Sequence, residues 1–223
     1  MTTSRVTELN ADHDYVLALC AADPHLAKLI GLIGDLPFKI SDDPFSSLVL
    51  SIVGQQLSAK AAATIRSRVK TLCGDRVSPD AIRALSEEEL RAAGVSRPKI
   101  AYIRDLAERI HSGRLDIAAL REMDDEAAVQ ALTEIKGIGT WTAEMFLIFA
   151  LGRLDVMSYA DVGLQRAAKW AYDLPETPKL RYLQQVEGPW SPYRSVASLY
   201  LWAAIDHGYV DSGRRLDALA SAD

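Results

Sequence analysis

The fold is decided by the run LTEIKGIGTWTAEM, residues 132–145, which predicts two helices joined by a tight turn. Residues 125–135 carry apolar side chains at helical spacing, and residues 140–151 are apolar nearly all round. Between them, the run Gly137-Ile138-Gly139 indicates a turn that needs positive φ at its glycines, Gly139 included, and places Ile138 in the core. The second helix would present backbone N–H groups and the positive end of its dipole, an arrangement that binds phosphate. An apolar helical hairpin that serves only packing would show the same pattern.

Composition favours an all-α protein, because Ala, Leu, Glu and Arg dominate a chain of 223 residues that is 49% hydrophobic. Residues 11–34 predict one or two helices, and Pro37 and Pro44 predict irregular chain after them. The net charge of −5 counts against nucleic-acid binding, although a small footprint can be locally positive. No apolar run is long enough to span a membrane, and the N-terminus lacks a signal-peptide core, so we expect a cytoplasmic protein.

A second informative run is FSSLVLSIVGQQLSAKAAATIR, residues 45–66, which predicts two helices separated by a bend. Ser58 is placed to cap the second of these helices. Gln55 and Gln56 therefore lie on the bend, followed by Leu57. On their own they are polar residues at a helix break, without a specific function.

Asp161 stands at the start of a predicted helix, after the run Ser158-Tyr159-Ala160. An aspartate at this position is usually an N-cap, whose side-chain oxygen accepts a hydrogen bond from the first turn. Capping does not exclude a second function, because a carboxylate has two oxygens and one of them can take part in chemistry.

Two runs together resemble one known family. IKGIGTWTAE at residues 135–144, followed 20 positions after Trp141 by Asp161 within YADVGL, is similar to the helix-hairpin-helix (HhH-GPD) DNA glycosylase superfamily, in its 3-methyladenine DNA glycosylase II branch. The resemblance covers about residues 45–207. It implies an all-α, two-lobed helical bundle with the active-site cleft between the lobes. The hairpin-bearing lobe would be residues 46–150, and the other lobe residues 1–45 plus 155–223.

The resemblance implies that Asp161 is the catalytic carboxylate of a DNA glycosylase that releases alkylated bases. Relatives that also cut the DNA backbone have a lysine where this chain has Trp141, so a monofunctional enzyme that uses water is expected. Lys136 lies within the hairpin and would face the DNA backbone. Trp141, Met145 and Trp202 would line the pocket for an extruded base.

The resemblance also assigns DNA contacts. Gln56 would fill the gap left by the extruded nucleotide, with Gln55 and Leu57 as neighbours. The hairpin residues expected to hold the backbone phosphates are Lys136, Gly137, Gly139 and Thr140. Relatives bind a monovalent cation, Na⁺ or K⁺, through backbone carbonyls that correspond to those of Thr133, Ile135 and Ile138. With only two cysteines, Cys20 and Cys73, the chain has no ligands for the four-cysteine iron–sulfur cluster of other relatives.

The expected partner is double-stranded DNA that contains damaged bases, bound by a monomer. Two alternatives stay open from the sequence. One is a related glycosylase for other damaged or mismatched bases, and the other is a non-catalytic DNA-binding module that uses the hairpin alone.

Overall fold

The computed structural model describes residues 4–177 and 181–221. Two strands, β1 (Ser4–Leu9) and β2 (Leu36–Ser41), pair in a two-stranded sheet. The helices are α1 (Asp14–Ala22), α2 (Pro24–Ile33), α3 (Pro44–Gly54), α4 (Ala59–Leu72), α5 (Pro79–Ala84), α6 (Glu87–Ala92), α7 (Arg97–His111), α8 (Ile117–Glu122), α9 (Asp125–Thr133), α10 (Thr140–Phe146), α11 (Val162–Ala171), α12 (Leu183–Val186), α13 (Arg194–Asp206) and α14 (Leu216–Ala220). A π-helical segment, Leu147–Leu151, continues α10, and a 3₁₀ turn, Gly188–Trp190, follows α12. Within the described ranges, no helix is both long and apolar enough to cross a bilayer.

The all-α prediction is confirmed, since the small sheet is the one non-helical element of the part of the chain that the structure describes. The prediction of irregular chain around Pro37 is wrong, because this proline lies near the start of β2. Phe38 and Ile40 are buried while their neighbours are more exposed, which is the two-residue period of a half-buried strand. A proline is tolerated near the beginning of a strand where its missing N–H is not required.

The chain contacts divide the described residues into two compact units. The first contains residues 4–5 and Ile40–Leu151, and the second contains Val6–Lys39 and residues 152–221. The predicted boundary between residues 45 and 46 differs from this division, in which residues 40–45 belong with α3. Asp43 caps α3 by accepting a hydrogen bond from the Ser46 N–H at 3.0 Å, and Phe45 is buried in the first unit.

In the first unit, α9 and α10 form the predicted helical hairpin. α10 packs against α9 and α3, while α7 packs against α3 and α5. Ile135 and Ile138, on either side of the turn, are only 1% and 4% exposed. Burying an isoleucine side chain stabilises a fold by about 1.5–3 kcal/mol, so these two residues fix the hairpin to the core.

In the second unit, α11 packs against α13 and α2. The carboxylate of Asp23 is buried at the start of α2, where it accepts hydrogen bonds from the His25 and Leu26 N–H groups. It also accepts hydrogen bonds from the Trp190 indole at 2.9 Å and from the Tyr172 hydroxyl. A buried charge is tolerated only when donors surround it, and these donors connect α2 to the C-terminal end of α11.

Candidate active site and nucleic-acid interface

The hairpin turn differs from its prediction at one glycine. Gly137 has the expected positive φ of +87°, and Ile138 is buried as expected. Gly139, in contrast, is extended, with φ −92° and ψ 172°, and stands at the N-cap of α10. The expectation of a positive φ at Gly139 is therefore wrong. Because glycine has no side chain, this end of α10 has no side-chain cap, whereas α9 and α11 each begin at a capping aspartate.

Gly137 is required for a second reason, which is the closeness of α7. A Cβ atom at this position would lie 2.7 Å from Cγ and 2.9 Å from Cε2 of Tyr102. A side chain here would therefore strain the backbone and also push the ring away. At Gly139 a Cβ would meet nothing within 4 Å.

Gly137→Ala is expected to lower the free energy of unfolding by roughly 2–4 kcal/mol. This is the cost of an alanine in the left-handed conformation added to the cost of its overpacked contact with Tyr102. Gly139→Ala is the matched control, and its loss should stay within about 1 kcal/mol because its backbone is extended and its surroundings are open. Urea unfolding of both variants measures the difference. Equal losses in the two variants would show that the Tyr102 contact does not constrain the turn.

The bend between α3 and α4 contains the predicted DNA-inserting residues. Gln56 is exposed and adopts a left-handed conformation with φ +54°, which is uncommon for a residue other than glycine. Leu57 is 39% exposed, and Ser58 caps α4 by accepting a hydrogen bond from the Ala61 N–H. The side chain of Gln55 is instead committed to the hairpin, because its amide donates to the Gly137 carbonyl at 2.8 Å. Gln55 thus connects the bend to the turn.

Two basic side chains, whose contacts no sequence pattern indicates, bind backbone carbonyls of α3 and of the bend. Lys99 donates to the Val53 carbonyl at 2.9 Å and to the Gln55 carbonyl at 2.6 Å. Arg66 donates to the Leu50 carbonyl at 2.8 Å. Burial, together with the nearby Arg66, lowers the pKa of Lys99. The available signal was a lysine in the first turn of α7, where the helix dipole disfavours a cation unless carbonyl groups elsewhere bind it.

A groove of about 510 Å³ lies within the first unit between α3, α4 and the second helix of the hairpin, α10, with its π-helical continuation. Met145 lines it and shares this face of the helix with Thr142. Arg66 and Lys70 give the groove a positive edge. Trp141 does not line it, and its side chain is 46% exposed, a large fraction for an aromatic residue.

Asp161 is the N-cap of α11. Its Oδ1 accepts a hydrogen bond from the Leu164 N–H at 2.8 Å, as expected of a capping aspartate. A Cβ atom at Gly163 would lie 3.1 Å from this Oδ1 and 3.2 Å from Cδ1 of Ile205. The absence of a side chain at residue 163 therefore leaves room for the carboxylate in this orientation.

The segment before Asp161, residues 152–160, has no regular structure and is held by side chains of α13. Arg194 makes two parallel hydrogen bonds to the Asp155 carboxylate, at 2.9 and 3.0 Å. Burial alone would raise the pKa of Asp155, but hydrogen bonds from Arg194 and Ser191 outweigh it and lower the pKa. The Ser195 hydroxyl bonds both to the N–H and to the carbonyl of Val156. The loop that carries Asp161 is thus anchored at its beginning.

The other predicted residues are distributed over both units. Trp202 is half-buried on α13, and Asp161 belongs to the same unit. Lys136 and Thr140 are exposed on the hairpin.

Of the three carbonyl groups implied for a cation, that of Ile135 accepts a hydrogen bond from the Ile138 N–H at 3.0 Å. A carbonyl oxygen has a second lone pair, so this bond leaves one coordination direction at Ile135.

Several known proteins are similar to this chain in sequence and in fold. The family described as "HhH-GPD superfamily base excision DNA repair protein" matches residues 49–192. DNA-3-methyladenine glycosylase 1 of Schizosaccharomyces pombe is 32% identical over 208 residues, which cover 87% of this chain and 91% of that protein. The crystal structure of a DNA-3-methyladenine glycosidase from Bacillus halodurans is 44% identical, with a TM-score of 0.87 over 96% of this chain and 99% of that one. The 3-methyladenine DNA glycosylase of S. pombe in complex with abasic DNA is 31% identical, with a TM-score of 0.77 over 87% and 97%. The chain belongs to the HhH-GPD superfamily of base excision DNA repair proteins.

Proposed function

We propose that this protein is a monofunctional DNA glycosylase that excises alkylated bases of the 3-methyladenine type from duplex DNA, in base excision repair. The observation that carries the proposal is Asp161, a carboxylate fixed at the start of α11, at the position where the resemblance puts the catalytic carboxylate. Relatives that are about one third identical over most of the chain are named as DNA-3-methyladenine glycosylases, which supports this substrate class.

The proposed reaction is hydrolysis of the N-glycosidic bond. Positive charge develops on the sugar as this bond breaks, and an ionised carboxylate stabilises it. The hydrogen bond from the Leu164 N–H to Oδ1 holds the Asp161 carboxylate at the N-terminal end of α11. The carboxylate also orients the attacking water or accepts its proton. No second acid is needed when the leaving base is already a cation, as an alkylated purine is.

The proposed interface consists of the hairpin and the bend beside it. The backbone of residues 137–140 would hold a phosphate, with Lys136 exposed next to it. Gln56 would occupy the space of the extruded nucleotide, for which its exposure and its left-handed backbone are suitable. Trp141, Met145 and Trp202 would receive the base, because aromatic and thioether side chains provide stacking surfaces. Gln55 would position this interface through the Gly137 carbonyl.

A structural Na⁺ or K⁺ at the hairpin belongs to the proposal as well. The carbonyl groups of Thr133, Ile135 and Ile138 would hold it, next to the negative end of the α9 dipole, which favours a cation. The ion would connect the hairpin to a phosphate and take no part in bond breaking. The protein would act as a monomer on damaged double-stranded DNA in the cytoplasm.

Hydrolysis by water leads to a clear expectation for the products. With methylated duplex DNA, borohydride should trap no covalent adduct, and the product strands should stay intact at abasic sites until alkali is added. Gel electrophoresis with and without alkali measures both. An adduct abolished by Lys136→Ala would make Lys136 a Schiff-base nucleophile, and an adduct that survives this substitution would place the nucleophile elsewhere; either result contradicts the hydrolytic mechanism. Excision of oxidised or mismatched bases alone, without methylated ones, would favour the alternative glycosylase.

A further inference from the structure

Gln165 is a buried polar side chain next to the candidate catalytic aspartate, and the hydrolysis described above does not use it. It lies on α11, one turn after Asp161, and is only 1% exposed. Its backbone N–H donates to the Asp161 carbonyl at 3.0 Å, as in any helical turn. Its side chain points back toward the loop that precedes the helix, since Nε2 donates to the Tyr159 carbonyl at 2.8 Å.

The other end of the carboxamide is equally occupied. Oε1 accepts hydrogen bonds from the N–H groups of Tyr182, at 2.7 Å, and Leu183, at 3.1 Å. These groups stand at the start of α12, which has no side-chain cap of its own. Two N–H donors on one side and a carbonyl acceptor on the other determine which end of the amide is oxygen and which is nitrogen.

We propose that Gln165 is a positioning residue for Asp161. A turn at residues 158–161 precedes α11 and is closed by a hydrogen bond from the Asp161 N–H to the Ser158 carbonyl. The bond from the Gln165 side chain to the Tyr159 carbonyl connects this turn to the first turn of the helix. Asp161 is the fourth residue of the Ser158–Asp161 turn, so the direction of its carboxylate depends on the Tyr159 peptide. The inference rests on the proposed catalytic function of Asp161. A misplacement of about 1 Å at a reacting group can slow catalysis by about a hundredfold, which makes such support important.

Gln165→Glu tests the position without a change of shape. One oxygen of the glutamate can still accept hydrogen bonds from the Tyr182 and Leu183 N–H groups. The other oxygen faces the Tyr159 carbonyl oxygen, and the two repel each other when the glutamate is ionised. Protonation supplies an O–H that donates to this carbonyl. The single-turnover excision rate, relative to wild type, is therefore expected to be about tenfold or more lower at high pH and to recover as the pH falls. Binding to abasic duplex DNA should stay within about twofold of wild type.

The relative rate separates this titration from others nearby. A pH effect that the variant shares with wild type cancels in this ratio. Burial and the hydrogen bond to Glu187 raise the pKa of Tyr159, so its phenol stays neutral in acid and near neutrality. Gln184→Glu is the matched control, because Gln184 Oε1 accepts a hydrogen bond from the Gln165 amide at 3.4 Å while the Gln184 side chain itself is exposed. Its relative rate should not change with pH. Circular dichroism at each pH confirms that the protein compared is folded.

A second variant, Gln165→Asn, introduces no charge and shortens the side chain so that it cannot reach the Tyr159 carbonyl. Excision should fall by about tenfold or more with no pH dependence of its own and with abasic-DNA binding retained. The proposal is overturned if either folded variant excises within about twofold of wild type at every pH, or if neither variant folds, because Gln165 would then serve stability alone. A wild-type protein that releases no methylated base would be a different failure, that of the proposed function itself.

Discussion

Replacing Asp161 with asparagine is expected to slow excision of methylated bases by roughly 10²–10³-fold while the fold and DNA binding are retained. Asparagine removes the charge that stabilises the developing cation on the sugar. It also caps helices about as well as aspartate, so the bond from the Leu164 N–H and the start of α11 should persist. Single-turnover excision and binding to abasic duplex DNA measure the two effects separately.

Asp124→Asn is the matched control for this variant. Asp124 caps α9 through the Ala127 N–H at 2.7 Å, with the same three-residue spacing as the bond between Asp161 and Leu164. Both substitutions therefore remove a capping charge, and both should change stability by about 1 kcal/mol or less. Only the change at Asp161 should affect excision. A rate close to wild type in Asp161→Asn would show that the aspartate is a cap without a catalytic function.

Gly139→Asp is expected to weaken binding to every duplex, damaged or undamaged, by about tenfold relative to Gly139→Asn. The extended backbone of Gly139 and its open surroundings accept either side chain, and both residues are good N-caps. Stability should therefore be equal to wild type or slightly higher in both variants. The two differ only in a negative charge at the position proposed for the phosphate, so binding should separate them.

Salt provides a further check on Gly139→Asp, because repulsion between exposed charges is screened. The ratio of the two dissociation constants should decrease toward one as ionic strength rises. Fluorescence anisotropy with undamaged and abasic duplexes at several salt concentrations measures it. Equal binding by Gly139→Asp and Gly139→Asn at low salt would show that the hairpin only packs within the protein.

Local patterns in the sequence predicted the elements that carry the site. The helical hairpin, the buried Ile138, the positive φ of Gly137 and the capping position of Asp161 all depend on residues close together in the chain. The prediction for Gly139 was wrong because only one of the two glycines in this turn, Gly137, has a positive φ. β2 was missed because a proline and a short strand give a weak period-2 signal.

The hydrogen bonds that hold the site in place could not be predicted, because the residues that make them are far apart in sequence. Lys99 reaches carbonyls more than forty residues earlier, and Gln55 reaches Gly137 across 82 residues. Gln165 looks like one more polar residue on a helix until the fold brings the start of α12 to its oxygen. Spacing rules describe a single helix or strand, whereas these contacts depend on how several elements pack.

The most direct measurement is the identity of the bases released when the purified protein acts on methylated duplex DNA. Chromatography of the soluble fraction should show free alkylated purine, 3-methyladenine above all, at a rate that Asp161→Asn reduces and Asp124→Asn does not. If the folded protein binds the duplex but releases no methylated base, or if Asp161→Asn releases it as fast as wild type, the assignment of this chain as an alkylated-base glycosylase that uses Asp161 is contradicted.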